Sequence, residues 1–329
     1  MAKIYYDSDA DIEVIRKKTV AVIGYGSQGR AHALNLRDSG VKVVLGLREG
    51  GKSWKQAEQD GFKPRTIDEA ATLGDVICML TPDTEQKKIY ETSIKAHLSP
   101  GKSLMFAHGY NIRYGLITPP DFINVFMVAP KSPGPKLREV YKQGFGVPSL
   151  VAVEQDYDKS ALKLSLSYAK AIGSTKVGVL QTSFKEETEE DLFGEQAVLV
   201  GGLIYLIKDG FDVLVEAGYD PELAYFEVLH EMKLIVDLVY SSGLEGMLRA
   251  VSDTAKYGGL TRGKVVVDEQ AKARMKTLLK DIQDGSFAKE WTGDVAASKK
   301  RLEEMMEQIK HEKIEEVGLK IRRMAGLQK

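Results

Sequence analysis

The chain has 329 residues, 46 Lys and Arg against 47 Asp and Glu, a net charge of −1 and 43% hydrophobic residues. That length exceeds the usual single core and implies two domains; the balanced, mixed charge excludes a dedicated nucleic-acid or anionic-membrane surface. The single cysteine excludes a disulfide scaffold, and no apolar run reaches membrane-spanning length, so the expected location is the cytoplasm.

Met1 to Asp11 lacks the apolar core of a secretory signal. Lys18 to Ile23 reads as a short buried strand, and Gly24-Tyr25-Gly26-Ser27-Gln28-Gly29 follows at once. Arg30 to Asp38 then reads as a helix closed by Gly40. This places G-x-G-x-x-G in a strand–turn–helix setting, which is far more specific than the bare pattern. The first Gly makes the tight turn, the second lets a pyrophosphate approach the backbone, and the third lets helix and strand pack closely. The helix N-terminus supplies N–H groups and positive partial charge for phosphates.

Val41 to Leu47 is the second strand. A site that prefers NAD usually ends this strand with an acid for the ribose 2′-OH. Here Arg48, Lys52 and Ser53 follow, a fork, a point charge and a hydroxyl suited to a 2′-phosphate, so NADPH is favoured. Glu49 stands where a ribose carboxylate could sit, which leaves NADH use open. Further short apolar segments alternate with helical stretches: Val76–Leu80, Ser103–Ala107, Val125–Ala129, Leu150–Val153 and Lys176–Leu180. The alternation predicts a doubly wound parallel sheet with helices on both faces. Cys78 falls inside one of these strands and reads as buried. Ligands of such sheets bind beyond the carboxyl ends of the strands. Asp83, Thr84, Glu85 and Gln86 follow one strand, His108 another, and Lys131 to Gly134 a third. His108 and Lys131 could therefore face a substrate beside the nicotinamide. His32, His97, His230 and His311 have no such context.

The pattern changes near residue 183, giving residues 1–182 as a Rossmann-type dinucleotide domain and 183–329 as an all-helical one. Helices are expected over Glu189–Ala217, Pro221–Ser241, Gly243–Thr254 and Asp268–Met324, with 296–323 charged enough to be largely solvated. Pro221 suits a first helical turn. Two acid pairs stand out, Asp191 with Glu195 and Glu227 with Glu231, each one helical turn apart. Like charges at that spacing cost a helix roughly 0.2–0.5 kcal/mol even on a wet surface. The first pair follows Thr188-Glu189-Glu190-Asp191, which fits a capping box. The second interrupts an apolar stripe of Leu223, Leu234 and Leu238. Four carboxylates on one site would suit hard divalent ions such as Mg²⁺, whereas caps and salt bridges are the plain alternative.

The combination resembles ketol-acid reductoisomerase (acetohydroxyacid isomeroreductase) in its short class I form. The matching pieces are Gly24 to Gly29, Ala107-His108-Gly109, Ala129-Pro130-Lys131, Asp191-Leu192-Phe193-Gly194-Glu195, Glu227 with Glu231, and Ser252-Asp253-Thr254-Ala255, and they span nearly the whole chain. The resemblance implies an N-terminal Rossmann-type sheet and a knotted, intertwined helical C-terminal domain. It implies a Mg²⁺-dependent alkyl migration in 2-acetolactate or 2-aceto-2-hydroxybutyrate, followed by NADPH reduction to the dihydroxy acid, in valine and isoleucine biosynthesis. Two Mg²⁺ ions would lie on Asp191, Glu195, Glu227 and Glu231. His108 and Lys131 would be catalytic, and Ser252 would hold the substrate carboxylate. Gly24, Tyr25, Gly26, Ser27, Gln28, Gly29, Arg48, Lys52, Ser53, Asp83, Thr84, Glu85, Gln86 and Gly134 would contact the cofactor. The resemblance also implies a homodimer at least, or a dodecamer, with Glu227, Glu231 and Ser252 supplied across subunits. Two other classes fit part of the pattern. A metal-free β-hydroxyacid dehydrogenase has the same domain order but no use for the acidic quartet. A non-enzymatic NADP-binding or helical assembly protein would use the acids only as caps and ion pairs.

Overall fold

The computed structural model describes residues 2–327 and divides into two compact units, the first ending at Glu190 and the second beginning at Asp191. The first unit is built on eight strands: β1 (Ile4–Tyr5), β2 (Thr19–Ile23), β3 (Lys42–Gly46), β4 (Val76–Met79), β5 (Ser103–Phe106), β6 (Asn124–Pro130), β7 (Ser149–Gln155) and β8 (Val179–Gln181). They form one sheet in the order β1-β8-β7-β6-β5-β4-β2-β3. Successive side chains of β2 leave opposite faces. Val20 and Val22 enter one buried cluster with Leu36, Cys78, Phe126 and Tyr168; Ala21 and Ile23 enter another with Ile77, Phe106 and Phe184. Cover on both faces explains why the strands read as continuous apolar runs. Cys78 is buried, and burial pushes its thiol up to about 12.

The sheet is mixed, which corrects the all-parallel expectation. β2 to β6 are parallel, but β7 runs antiparallel to β6, and β1 antiparallel to β8. Strand direction is not written in a strand's own pattern; the return path sets it. Between β6 and β7 the chain makes a closed excursion that includes the Gly134–Lys142 helix. Pro130 pairs with Ser149 and the Lys131 N–H donates to the Pro148 carbonyl, so the chain re-enters the sheet at the end where it left. β1 is two residues long and carries no periodicity that a sequence could show.

The second unit is helical, and among the described residues no strand follows Gln181. Its segmentation differs from the sequence expectation in five places. The Phe184–Gly194 helix begins five residues before the expected Glu189, because Ser183 caps it: the Glu186 N–H donates to Ser183 Oγ. Thr188 is therefore a fully buried residue inside the helix, not a cap. Two π turns, Glu195–Leu199 and Phe226–His230, interrupt what read as continuous helices. The Asp253–Val266 helix was not expected, because Gly258, Gly259 and Gly263 each cost a helix about 1 kcal/mol. The charged C-terminal stretch breaks at His311–Glu312, and Ile314, Val317 and Ile321 of the Lys313–Met324 helix pack with Phe211, Ala224 and Tyr225. Pro221 does open its helix, with Asp220 as cap. Many large apolar side chains stay exposed on this unit, among them Leu199, Leu223, Leu234, Tyr240 (92%) and Tyr257.

The glycine-rich turn gives separable outcomes. Gly24 has φ +99°, and a Cβ there would lie 2.7 Å from the Leu80 carbonyl oxygen. A Cβ on Gly29 would lie 2.3 Å from the Gly24 oxygen, whereas one on Gly26 would meet nothing within 4 Å. Gly29→Ala should therefore lose about 1–3 kcal/mol of stability by urea denaturation. Gly26→Ala should keep wild-type stability yet bind a dinucleotide far more weakly, because its methyl enters the space left for the pyrophosphate. Equal stability in the two variants would contradict this packing.

Candidate active site

The turn after β2 delivers the chain to the Ser27–Asp38 helix with Gly26 as its cap residue and no side chain on the cap. The first-turn N–H groups have no intrahelical acceptor. This open, uncapped N-terminus at the carboxyl end of β2 has the chemistry of a phosphate cradle. Ser27 is exposed beside it. Gln28 Nε2 donates to the Ser132 carbonyl at 2.8 Å, and its Oε1 is buried without a partner. A Cβ on Gly134 would stand 2.0 Å from the Ser27 oxygen, so this glycine is required by the approach of two helix starts.

Tyr25 turns its side chain away from the cradle. Its hydroxyl donates to Asp60 Oδ2 at 2.9 Å and its ring packs edge-on against Phe62. Arg30 donates to both Asp60 oxygens at 2.7 and 2.8 Å. The Arg30 hydrogen bond holds the Asp60 carboxyl below its ordinary value, against a smaller opposing effect of burial. Asp60 thus anchors the far end of the Lys52–Gln59 helix. The near end of that helix carries Lys52 and Ser53 behind the cap residue Gly51, with Arg48 and Glu49 exposed just before it. Two cations, a hydroxyl and an uncapped helix start are together the composition that a phosphate would need. Asp83, Thr84, Glu85 and Gln86 open the Asp83–Ile89 helix after β4. Gln86 is buried and braced: its Nε2 donates to the Thr81 carbonyl and its Oε1 accepts from Asn111.

His108 and Lys131, beyond the carboxyl ends of β5 and β6, converge on Glu187, a residue the sequence reading passed over. The Glu187 side chain is 1% exposed. Its carboxylate accepts from His108 Nδ1 at 3.0 Å, from Lys131 Nζ at 3.0 Å and from the Gly109 N–H at 2.9 Å. Burial pushes this carboxyl up, but the bonds and charges of His108 and Lys131, with the Gly109 N–H, outweigh it and hold Glu187 below its ordinary 4.5. An ionised carboxylate accepts only. The bond to Glu187 therefore places a proton on His108 Nδ1. Asp191 stands one turn beyond Glu187 on the same helix. His108, Glu187 and Asp191 can each offer one ligand atom, all within 4.8 Å of one another. Glu195 opens the first π turn, and the Val200 N–H reaches back to its carbonyl. Oxygen donors with one imidazole are compatible with a hard divalent cation. The one sequence signal for Glu187 was its position one turn before Asp191, masked by reading Thr188 as the helix cap.

The other acid pair lies in a cavity of about 640 Å³ inside the second unit, lined by Glu227, Glu231 and Ser252 together with Leu206, Val228 and Ile235. Asp191 and Glu195 do not line it. Glu227 and Glu231 are exposed in the single chain, as are Leu223 and Leu234, so the expected buried stripe around them does not form within one chain. The π turn at 226–230 shifts the helical phase there. Ser252 caps the Asp253–Val266 helix, its Oγ accepting from the Ala255 N–H. Its hydroxyl proton can still donate to a carboxylate at that helix N-terminus. The other histidines have ordinary settings: His32 is buried on Tyr168, His97 bonds Thr72, His230 packs on Phe226 and His311 pairs with Glu307.

Residues 14–178 match the family model for the acetohydroxy acid isomeroreductase NADPH-binding domain, and residues 184–326 match the ketol-acid reductoisomerase C-terminal domain. The chain is 55% identical over 329 residues to a ketol-acid reductoisomerase (NADP(+)) of Pyrococcus abyssi, covering 100% of this chain and 99% of that one. It is also 55% identical to one of Methanocaldococcus jannaschii, covering 100% of both. The structure of an NADH-preferring ketol-acid reductoisomerase from an uncultured archean superposes with a TM-score of 0.94 at 47% identity, covering 98% of each chain.

Replacing Glu187 tests the central cluster. Glu187→Ala should lose roughly 1.5–3 kcal/mol, since three donors lose a charged acceptor. The sign of the pH dependence follows from the depressed carboxyl. Its contribution is present above the unfolded value near 4.5 and is lost as the pH falls through the lower folded value. The gap between wild type and Glu187→Gln in urea should therefore narrow on acidification below about pH 4.5. A gap that widens there would mean that the carboxylate is not held by these donors.

Proposed function

The chain belongs to the ketol-acid reductoisomerase family and is an NADP-dependent oxidoreductase, and from that premise we propose how its residues divide the work. The substrates are 2-hydroxy-3-keto acids, 2-acetolactate and 2-aceto-2-hydroxybutyrate, which the enzyme isomerises and reduces to 2,3-dihydroxy acids in branched-chain amino-acid biosynthesis. Residues 1–182 form the dinucleotide domain, and 183–329 form the helical metal, substrate and dimerisation domain. The reading rests on one observation above others: His108 and Lys131 converge on a single buried carboxylate beyond strand ends in the same sheet as the phosphate cradle.

Gly24, Gly26 and Gly29 hold the pyrophosphate against the open helix start. Arg48, Lys52 and Ser53 take the 2′-phosphate of NADPH. Glu49 beside them would accept the ribose of NADH, and a solved relative that prefers NADH has the same fold. Tyr25 serves through its main chain, since its hydroxyl is committed to Asp60. Asp83 to Gln86 and Gly134 border the same cradle.

Asp191 and Glu195 hold one part of a two-Mg²⁺ centre, Glu227 and Glu231 the other, and Ser252 donates to the substrate carboxylate. Bound there, the two ions would bind adjacent substrate oxygens and polarise the carbonyl for alkyl migration, and NADPH would supply the hydride. Lys131, paired with Glu187, donates a hydrogen bond toward the oxygens that gain negative charge. His108 moves a proton at Nε2 while Glu187 holds Nδ1. The exposed apolar faces of the second unit and the exposed setting of Glu227 and Glu231 support a homodimer, or a dodecamer of such pairs, in which these two acids and Ser252 serve the partner's site. No described helix is long and apolar enough to cross a membrane, and the buried free Cys78 suits a reducing compartment; we place the protein in the cytoplasm.

Loss of NADPH absorbance with 2-acetolactate should require Mg²⁺. Glu195→Gln should abolish isomerisation while leaving NADPH binding unchanged; isomerisation that survives would remove Glu195 from the metal set. Sharing of the site is tested by mixing two inactive variants, Lys131→Met and Glu231→Gln. Statistical pairing should restore about a quarter of wild-type activity, because each mixed dimer carries one intact composite site. No recovery would place all the groups of a site in one chain.

A further inference from the structure

The segment that follows β5 grips the Phe184–Gly194 helix from two sides. On one side Glu187 takes His108 Nδ1 and the Gly109 N–H. On the other, Glu189 accepts from Arg113 Nε at 2.9 Å and from Arg113 Nη2 at 2.6 Å. This ion pair is well screened from water, with side-chain exposures of 23% for Arg113 and 8% for Glu189. Residues two apart on a helix point about 200° away from each other. One contact would leave the helix able to roll about its axis, whereas two contacts on opposite sides fix the roll. Between them the fit admits no slack: a Cβ on Gly109 would lie 2.4 Å from Thr188 Oγ1 and 2.9 Å from the Phe184 carbonyl oxygen.

A second path joins the same two ends. The Arg113 guanidinium lies 5.3 Å from the Tyr114 ring centroid. Tyr114 meets Tyr110 edge-on at 5.0 Å, and Tyr110 stacks on the His108 imidazole at 6.3 Å and 27°. Arg113, Tyr114, Tyr110, His108, Glu187 and Glu189 therefore close a ring of contacts, in which the helix backbone supplies the last link. Such a ring sets the orientation of the imidazole and the direction of the carboxylates on this helix together. The direction of Asp191, one turn on, depends on the same roll.

We propose that Arg113, through Glu189, is a positioning residue for the reaction: it aims the Glu187 and Asp191 face of this helix at His108, and so sets how tightly the hard divalent cation is held. The inference rests on the metal reading given above. It differs from a purely structural role in what it affects, because the dinucleotide cradle after β2 is not part of the ring.

The test uses the full-length enzyme loaded with NADPH. In Arg113→Met, calorimetric titration of Mg²⁺ and the Mg²⁺ half-saturation of turnover should both weaken by roughly 10- to 100-fold, as when a group that orients metal ligands is removed. NADPH affinity should fall far less than Mg²⁺ affinity, because Arg113 reaches the cofactor side only indirectly, through Asn111 and Gln86. Arg113→Lys keeps the charge but loses the fork, and should fall between the two. Glu189→Gln should reproduce Arg113→Met, and the double variant should bind Mg²⁺ no more weakly than either single one. Wild-type Mg²⁺ binding in Arg113→Met, or in Arg113→Lys should the former not fold, overturns the proposal. So does a double variant whose losses add. If the wild-type enzyme itself turns over without Mg²⁺, the metal reading fails first and this inference falls with it, an outcome visible before any variant is made.

Discussion

A single buried carboxylate organises the chemical end of the first unit. Glu187 carries no solvent to screen it, so it can stay ionised only while His108, Lys131 and the Gly109 N–H all reach it. That requirement ties three chain segments that are far apart in sequence to one point. It places a proton on His108 Nδ1, pairs with Lys131 and brings the loops after β5 and β6 to the helix that carries Asp191. Much of the remaining local structure serves this arrangement: the absent side chain of Gly109, the Phe106–Phe184 ring contact and the Arg113–Glu189 pair all hold the same helix against the same loop.

The dinucleotide side was open to sequence reasoning because its constraints are local. Gly24, Gly26 and Gly29 differ in what surrounds them, yet all three act within one turn of the backbone, and a six-residue pattern records them. Seven of the eight strands were also visible, since burial on both faces leaves unbroken apolar runs. The direction of β7 was not, because it follows from the excursion through Gly134–Lys142 and from the pairing of Pro130 with Ser149. Glu187 was missed for a related reason. Its partners lie 56 to 79 positions away, and apart from standing one turn before Asp191 nothing in its own neighbourhood separates it from Glu186, Glu189 or Glu190.

The helical unit shows where periodicity misleads. Each acid pair was read on an ideal helix, and each proves to involve a π turn: Glu195 begins one and Glu227 lies in another. Such turns are frequent at functional sites. The stripe of Leu223, Leu234 and Leu238 was real as a pattern, but within one chain it covers nothing, and Leu223 and Leu234 remain exposed. A single sequence reports how a side chain is spaced along its own helix, not which molecule supplies the surface that buries it.

The two π turns also bear on how the helical unit could have arisen and how it can change. Each accommodates one residue more than an α-helical turn, without ending the helix. Losing that residue would restore ordinary helix and rotate everything downstream by roughly 100°. In the stretch before Glu231, a one-residue deletion would thus leave composition, hydrophobicity and helix content almost untouched while swinging an acidic side chain away from Ser252 and the cavity they share. The direction of these acids thus depends on the residue count along the helices as much as on residue identity.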